Sequence, residues 1–453
     1  MKHSLPATTG MLVNVSFNIM DTIFVGMLGS GALAALSVAF PVQMMLGGVA
    51  IGTGVGAASL VARQLGAAQY EEASETASQS FSLAFLLGVA VILIGFFYLD
   101  DLLVVFGATP EIMGDTFDYL SIIMWGAPTI FLMMMGNNVI RGEGSAMVAM
   151  KIMVAGALLN IALDPVFIFA LGLGIRGAAL ATVISRSLIL LYVVYYFIFG
   201  NSMLKISLKW FLPRWSVVVE IYRVGIPAIF MQVAFNLAII FINRILGGYD
   251  HVAIAVLGII VRLQMVILLP CIGISQGLLT IIGFNYGGKL YGRVREAFFK
   301  ATMLAFVFSL IVTALFVIFP ATFIGIFNRE PELLVLGSYA LRIMVITFPL
   351  AALQIMSSVL FQGIGRGLPA LILAVSRQFL FFVPLAYLFE FWFGLDGIWF
   401  SAPAADLLTC LIALFLINRA FKNLGLTFWG YLGSRVKILS RASMSSRSNN
   451  ISR

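Results

Sequence analysis

Apolar runs of about twenty or more residues recur from near the start of this chain to about residue 420. Roughly 20 apolar residues cross a bilayer core as a helix. In lipid a backbone must satisfy its own hydrogen bonds, which leaves helices for runs of this length. Twelve spans are read, at about 5–28, 34–59, 73–99, 112–138, 149–171, 175–199, 222–247, 252–284, 297–319, 334–362, 369–391 and 396–420. Composition agrees, with 61% hydrophobic and 10% charged residues and a mean hydropathy of +1.07, where soluble domains carry about 25% charged residues. The short alternating segments of a β-barrel are absent. The class implied is an all-α polytopic membrane protein.

Loop charge alternates along the chain. The odd-numbered loops hold Asp100, Asp101, Glu111, Arg176, Asp250, Arg329, Glu330, Glu332, Glu390 and Asp396, mostly acidic. The even-numbered loops and the tail hold Arg63, Arg141, Lys151, Lys205, Lys209, Arg214, Lys289, Arg293, Arg295, Arg366, Lys422, Arg435 and Lys437. By the positive-inside rule both termini are expected in the cytoplasm. The net charge of +8 is thus a matter of topology, and no nucleic-acid partner is expected. The first span follows Met1-Lys2-His3 directly and carries polar residues, so no cleavable leader is expected. Cys271 and Cys410 sit in apolar spans without metal-ligand spacing and are read as packing residues.

The chain also repeats itself. Gly66-Ala67-Ala68-Gln69-Tyr70 parallels Gly287-Gly288-Lys289-Leu290-Tyr291, and Arg141-Gly142-Glu143-Gly144 parallels Gln362-Gly363-Ile364-Gly365. Gly174-Ile175-Arg176-Gly177 parallels Gly394-Leu395-Asp396-Gly397, and Pro165 parallels Pro384, all at an offset of about 220 residues. Six spans per copy insert with one orientation, related by an axis along the membrane normal. The expected architecture is twelve transmembrane helices in two pseudo-symmetric six-helix bundles: an N-terminal lobe 1–200, a cytoplasmic linker 201–221, a C-terminal lobe 222–424 and a basic tail 425–453 expected to be disordered. The linker carries Lys205, Lys209, Trp210 and Arg214, which suits the membrane interface.

Polar residues inside the spans mark where chemistry can sit. Asn14, Asn18 and Asp21 share one face of the first span by i, i+4, i+7 spacing. An acid near the middle of a membrane helix costs roughly 2.5–3.5 kcal/mol on insertion scales and needs a partner, a proton or a cation. In the fifth span, Asn160 and Asp164 share a face by i, i+4 spacing, and Pro165 frees a backbone carbonyl one turn earlier. The second half has no matching acids: Phe382-Val383-Pro384 stands opposite Asp164, and the seventh span offers Asn236. Two carboxylates in one low-dielectric pocket cannot both ionise cheaply. A proton would discharge the pair, and carboxylate, amide and hydroxyl oxygens equally suit a small hard cation. The competing reading is structural, each acid being satisfied by neighbouring asparagine side chains.

The chain resembles the multidrug and toxic compound extrusion (MATE) family, and within it the DinF-type prokaryotic branch. The resemblance is carried by Asn18-Ile19-Met20-Asp21-Thr22-Ile23-Phe24-Val25-Gly26, Ala62-Arg63-Gln64-Leu65-Gly66, Arg141-Gly142-Glu143-Gly144, Asn160-Ile161-Ala162-Leu163-Asp164-Pro165 and Gly397-Ile398-Trp399, and it extends to about Leu424. It implies a secondary antiporter of the prokaryotic plasma (inner) membrane that works by alternating access, exporting organic, often cationic, compounds as protons or sodium enter. It implies a coupling set of Asp21, Asn160, Asp164, Thr182, Asn137 and Tyr119, with sodium held, where sodium is used, at Asp21, Asn160, Asp164 and Thr182. Tyr119, near a span boundary, also reads as an interfacial aromatic. The branch that places acids in the seventh and tenth spans finds no match here. The alternative in the same superfamily is a flippase for a lipid-linked intermediate.

No cofactor is expected beyond the transported ion. The expected partners are a small-molecule substrate and membrane lipid, with the chain acting as a monomer. Asn14, Asn18, Arg186, Asn236, Arg262 and Asp406 are further candidates for lining a cavity. Arg186 lies one turn beyond Thr182, and Asp406 is its repeat equivalent; both read either as cavity charges or as locally paired. Arg377 is expected to snorkel to the cytoplasmic interface. Met133, Met134, Met135, Met231 and Met265 read as an adaptable substrate wall or as ordinary packing. Gly52-Thr53-Gly54-Val55-Gly56 lies in an apolar span with no preceding strand, so it reads as close helix packing and not as a nucleotide loop. His3 and His251 sit at membrane edges, which argues against a histidine relay. An intramembrane enzyme would need a nucleophile–base pair or a metal constellation, and none is present.

Overall fold

The computed structural model describes residues 10, 13, 17, 19–249 and 251–426, the side chains of Asn236 and His251 excepted. Asn14, Asn18, Asp250 and the basic tail beyond residue 426 lie outside the described residues.

The apolar spans form helices, and no strand occurs among the described residues. The first helix is described over 19–26 (α1). Then come α2 (Ser30–Gly66), α3 (Tyr70–Val105), α4 (Met113–Trp125), α5 (Ala127–Gly142), α6 (Ala146–Pro165) and α7 (Gly174–Phe199). The second half holds α8 (Trp215–Leu246), α9 (His251–Gly287), α10 (Tyr291–Ile318), α11 (Pro320–Ile324), α12 (Pro331–Val345) and α13 (Phe348–Gly363). It ends in α14 (Gly367–Val375), α15 (Val383–Phe393) and α16 (Leu395–Asn423). Among the described residues nine helical stretches are each long and apolar enough to cross a membrane, and two bent pairs bring this to eleven.

Those bent pairs are the fourth and tenth spans, which the sequence reading had as single helices. α4 and α5 meet at 53° and α12 and α13 at 44°. Pro128 opens α5 and Pro349 opens α13; each lacks an N–H and so cannot continue the preceding ladder. Two wider π-turns also interrupt spans: Val166–Ala170 directly after Pro165, and Ser376–Phe382 directly before α15. π-turns inside membrane helices often mark functional positions.

Burial divides the apolar side chains into two cores. One is built from residues between Val25 and Leu204, the other from residues between Val224 and Phe421 together with Val55 and Ala58 of α2. Apolar side chains also cover the outside, with Phe96, Phe97, Leu191, Ile311 and Leu411 exposed, as a surface solvated by lipid requires.

At the end of the molecule that carries Arg63, Arg141 and Lys289, the two halves close on each other across a local two-fold. Ser59 Oγ donates to the Gln362 carbonyl at 2.5 Å, and Thr280 Oγ1 donates to the Arg141 carbonyl at 2.9 Å. The internal repeat pairs Ser59 with Thr280 and Arg141 with Gln362, so the two bonds are copies of one contact. The backbones repeat the pattern. A methyl group added at Gly66 would lie 1.9 Å from the Phe284 carbonyl oxygen, and one added at Gly287 would lie 1.9 Å from the Arg63 carbonyl oxygen. Only glycine permits this approach, as in membrane helices that pack backbone to backbone. Arg63 adds an ion pair to Glu220 of α8 at 3.4 Å.

The segment between the halves is fastened to α3. Ser74 and Ser78 each donate a hydroxyl to their own helix, at 2.9 Å. The same oxygens accept the Lys205 and Ser207 backbone N–H groups, both at 3.1 Å. Gln79 Oε1 accepts from Arg214 N at 2.8 Å, Ser82 Oγ donates to the Phe211 carbonyl, and Arg214 pairs with Glu75 at 2.7 Å. The connecting backbone groups thereby find partners that no strand or helix supplies.

Candidate functional site

Four elements of the first half converge on the acids. α1 carries Asp21, the end of α6 carries Asn160 and Asp164, α7 brings Thr182 and α4 brings Tyr119. Asp21, Asn160, Asp164 and Tyr119 are all buried, and Asp164 has no exposed surface. The i, i+4 register on α6 lets the Asn160 amide reach both neighbours: its Nδ2 donates to Asp164 Oδ1 at 3.4 Å and to Thr182 Oγ1 at 3.3 Å. Asp21 and Asp164 lie within electrostatic reach of each other, and Tyr119 within reach of both.

Neither Asp21 nor Asp164 forms an ion pair among the described residues. Three buried oxygens of this cluster, Asp21 Oδ1, Asn160 Oδ1 and Asp164 Oδ2, have no hydrogen-bond donor there. A buried acceptor without a donor is costly, and more so when ionised. Three buried hard oxygen acceptors left over in one cluster fit a proton shared within it or a small cation held by it.

The other residues singled out in the sequence divide clearly. Tyr119 is not an interfacial aromatic; it is buried, and its Oη accepts from Gln43 Nε2 of α2 at 3.0 Å. Gln43 escaped the sequence reading, and its signal was a lone amide in the middle of the second span. Asn137 is buried, but its amide nitrogen donates to the Ala149 carbonyl at 2.9 Å, tying α5 to α6, with no hydrogen bond to either acid among the described residues. Asn138 likewise donates to the Met134 carbonyl and accepts from Arg141. Arg186, partly buried, lays its guanidinium over the Phe17 ring at 5.2 Å, a cation–π contact. Asn14 and Asn18 lie outside the described residues, and Asn236 is placed only as a position on α8.

In the second half the expectation for Arg377 fails. It does not snorkel: its Nε donates to Asp406 Oδ1 at 2.7 Å, and Asp406 is fully buried. A buried acid on α16 holds the arginine inward, because a carboxylate in that position without a partner would be far more costly. Asp406 Oδ2 accepts from Thr347 Oγ1 at 2.9 Å, and the Asp406 carbonyl accepts from Gln354 Nε2 at 2.9 Å. Asp406 is thus both locally paired and on the wall of an internal cavity. Arg262 is exposed and lies off that cavity, whose wall on α9 is formed by Leu257, Val261 and Gln264.

Comparison with known proteins adds the family. The MatE family profile matches residues 6–166 and again 227–388, one copy in each half. The multidrug export protein MepA of Staphylococcus aureus (strain NCTC 8325 / PS 47) is 29% identical over 420 residues, 92% of each chain. A multidrug resistance MATE family transporter of the MOP superfamily, solved in an outward-facing conformation, superposes with a TM-score of 0.88 at 30% identity, over 93% of this chain and 95% of that one. A MOP superfamily transporter from Pyrococcus furiosus Vc1 (DSM3638), described as having a binding pocket of reversed polarity that suggests a different function, superposes with a TM-score of 0.87 at 31% identity, over 94% of this chain and 96% of that one. With a profile that matches more than half of its length, once in each half, the chain belongs to the MatE family of polytopic membrane transporters.

Proposed function

We propose that this chain is a multidrug exporter that exchanges an organic compound, often a cation, for protons or sodium across the prokaryotic plasma (inner) membrane. One observation carries the coupling: Asp21 Oδ1, Asn160 Oδ1 and Asp164 Oδ2 are three buried acceptors without donors in one cluster. The unloaded cluster carries an uncompensated negative charge, and the loaded one does not. A substrate cation and the coupling ion then compete for the same charge, which is the differential binding that coupling requires. Tyr119 and Gln43 form the wall behind the acids, Thr182 supplies a further oxygen, and Arg186 stands one turn away.

Alternating access follows from the joint between the halves. Residues 1–200 and 222–424 act as two lobes, and the basic end, where Arg63 and Arg141 lie, faces the cytoplasm together with both termini. The two copied hydrogen bonds and the two glycine contacts close that face. Parting them opens the cytoplasmic path, and a self-complementary contact re-forms in one register. The chain acts as a monomer, with lipid around its apolar exterior.

Proteoliposomes loaded with a fluorescent organic cation test the coupling. Export is expected to accelerate under an imposed proton or sodium gradient directed against the cargo, and to slow when the gradient is collapsed. With protons as the driver, acidifying the side opposite the cargo speeds export and reversing the pH difference slows it. Export indifferent to both gradients overturns the proposal.

A further inference from the structure

The second half holds a polar centre that the coupling cluster does not use. Between α8, α9, α12, α13, the Ser376–Phe382 π-turn and α16 lies a cavity of about 40 Å3, room for roughly three waters or one small functional group. Its apolar wall includes Phe235, Phe348 and Phe382. Its polar wall is Gln264, Arg377, Gln378 and Asp406.

The hydrogen-bonding capacity of this wall is lopsided. Both Asp406 carboxylate oxygens are engaged, Oδ1 by Arg377 Nε and Oδ2 by Thr347 Oγ1. Arg377 uses only its Nε edge, and its two Nη groups have no partner among the described residues. Gln264 and Gln378 are each more than nine-tenths buried, and their side-chain amides have no partner there either. What the cavity leaves unmet is therefore mainly donors, because Arg377 lines it with its Nη groups unpartnered while both carboxylate oxygens of Asp406 are engaged. That is the opposite of the first half, where acceptors are left over.

We propose that this cavity is a ligand subsite that takes the carboxylate of an aromatic acid or aromatic zwitterion. A guanidinium has two hydrogen-bonding edges in one plane; with the Nε edge on Asp406, the Nη edge matches a second carboxylate. The Gln264 and Gln378 amides supply further donors to its oxygens. The phenylalanine rings receive the aromatic body, for which the neighbouring side chains must part. The π-turn that carries Arg377 and Gln378 brings both side chains to the same cavity. The inference deepens the export proposal by naming a substrate class, and it rests on that proposal only in treating the bound acid as cargo.

Binding is measurable without transport. The probe is 2-aminobenzoate, which is intrinsically fluorescent, titrated against the full-length protein in lipid nanodiscs. Saturable binding is expected in the unmodified protein, weakened about tenfold or more in Arg377→Gln, the scale of one lost charge-assisted hydrogen bond. The methyl ester of the probe keeps the ring and loses the charge, and is expected to bind about tenfold more weakly as well. Gln378→Leu and Gln264→Leu leave the Arg377–Asp406 pair intact and are expected to weaken binding several-fold; they decide the matter if Arg377→Gln does not fold. Asp21→Asn and Asp164→Asn are expected to bind the probe normally, so loss of coupled export and loss of this subsite are read separately. Absence of saturable binding, an ester bound as tightly as the acid, or unchanged binding in the Arg377 and glutamine variants overturns the proposal.

Discussion

Asp164→Asn is expected to abolish gradient-driven export while leaving a folded protein in the membrane. The substitution keeps the shape of a side chain with no exposed surface and removes its charge. The Asn160 amide at 3.4 Å retains an acceptor in the new carboxamide oxygen. What disappears is the site's ability to differ between a charged and a neutralised state. Coupling between two ligands amounts to about 1–3 kcal/mol, or roughly 5–150-fold in affinity, and that whole differential is what the substitution removes. Asp21→Asn is expected to do the same, because Asp21 contributes the other orphaned carboxylate oxygen. Thr182→Val, which removes one neutral oxygen, is expected to have the smaller effect. Transport assays at matched protein density check this, and undiminished coupling in either aspartate variant would refute the assignment.

Gly66→Ala is expected to shift the conformational equilibrium away from the closed basic end. The added methyl would stand 1.9 Å from the Phe284 carbonyl oxygen. That oxygen belongs to a helix backbone and cannot step aside by changing rotamer, so the halves must part. Overpacking of this kind costs about 1–3 kcal/mol, roughly a 5- to 150-fold change in the closed population. Gly287→Ala is expected to have an equal effect, since its methyl would meet the Arg63 carbonyl oxygen at the same 1.9 Å. Labelling of Ser59→Cys by a membrane-impermeant thiol reagent reads the equilibrium. Ser59 is fully buried in the joint, and labelling of the cysteine there is expected to rise when either glycine substitution is added to Ser59→Cys, as export falls. Unchanged labelling with full export would show that the joint does not gate the path.

Much of this organisation was legible in the residues. The recurrence of apolar runs constrained the class, because lipid offers the backbone no alternative to helix. The Asp21 and Asp164 pairing was visible as a difference between two otherwise similar halves, and the structure brings Asp21, Asn160, Asp164, Thr182 and Tyr119 into one cluster. Other features depend on where a side chain points across helices, which hydropathy does not encode. Arg377 looked like a residue free to reach the interface; its partner Asp406 lies on another helix, and only packing reveals a buried acid there. Gln43 was passed over for the same reason. The bends at the fourth and tenth spans had a signal, Pro128 and Pro349 in matching places of the repeat, yet each lay inside an unbroken apolar run. Asn137 sits beside the cluster in sequence logic, whereas in space its amide is committed to the Ala149 carbonyl.

The measurement that bears most directly on the account is ion release on substrate binding, without any gradient. Purified protein in nanodiscs, loaded with protons or sodium and mixed with a saturating organic cation, is monitored with a pH indicator and a sodium indicator in parallel. The unmodified protein is expected to release one of the two ions as the substrate binds, and both Asp21→Asn and Asp164→Asn are expected to release neither. Substrate binding without release of either ion, or equal release in the aspartate variants, would contradict the claim that the three orphaned oxygens of Asp21, Asn160 and Asp164 are where cargo and coupling ion compete.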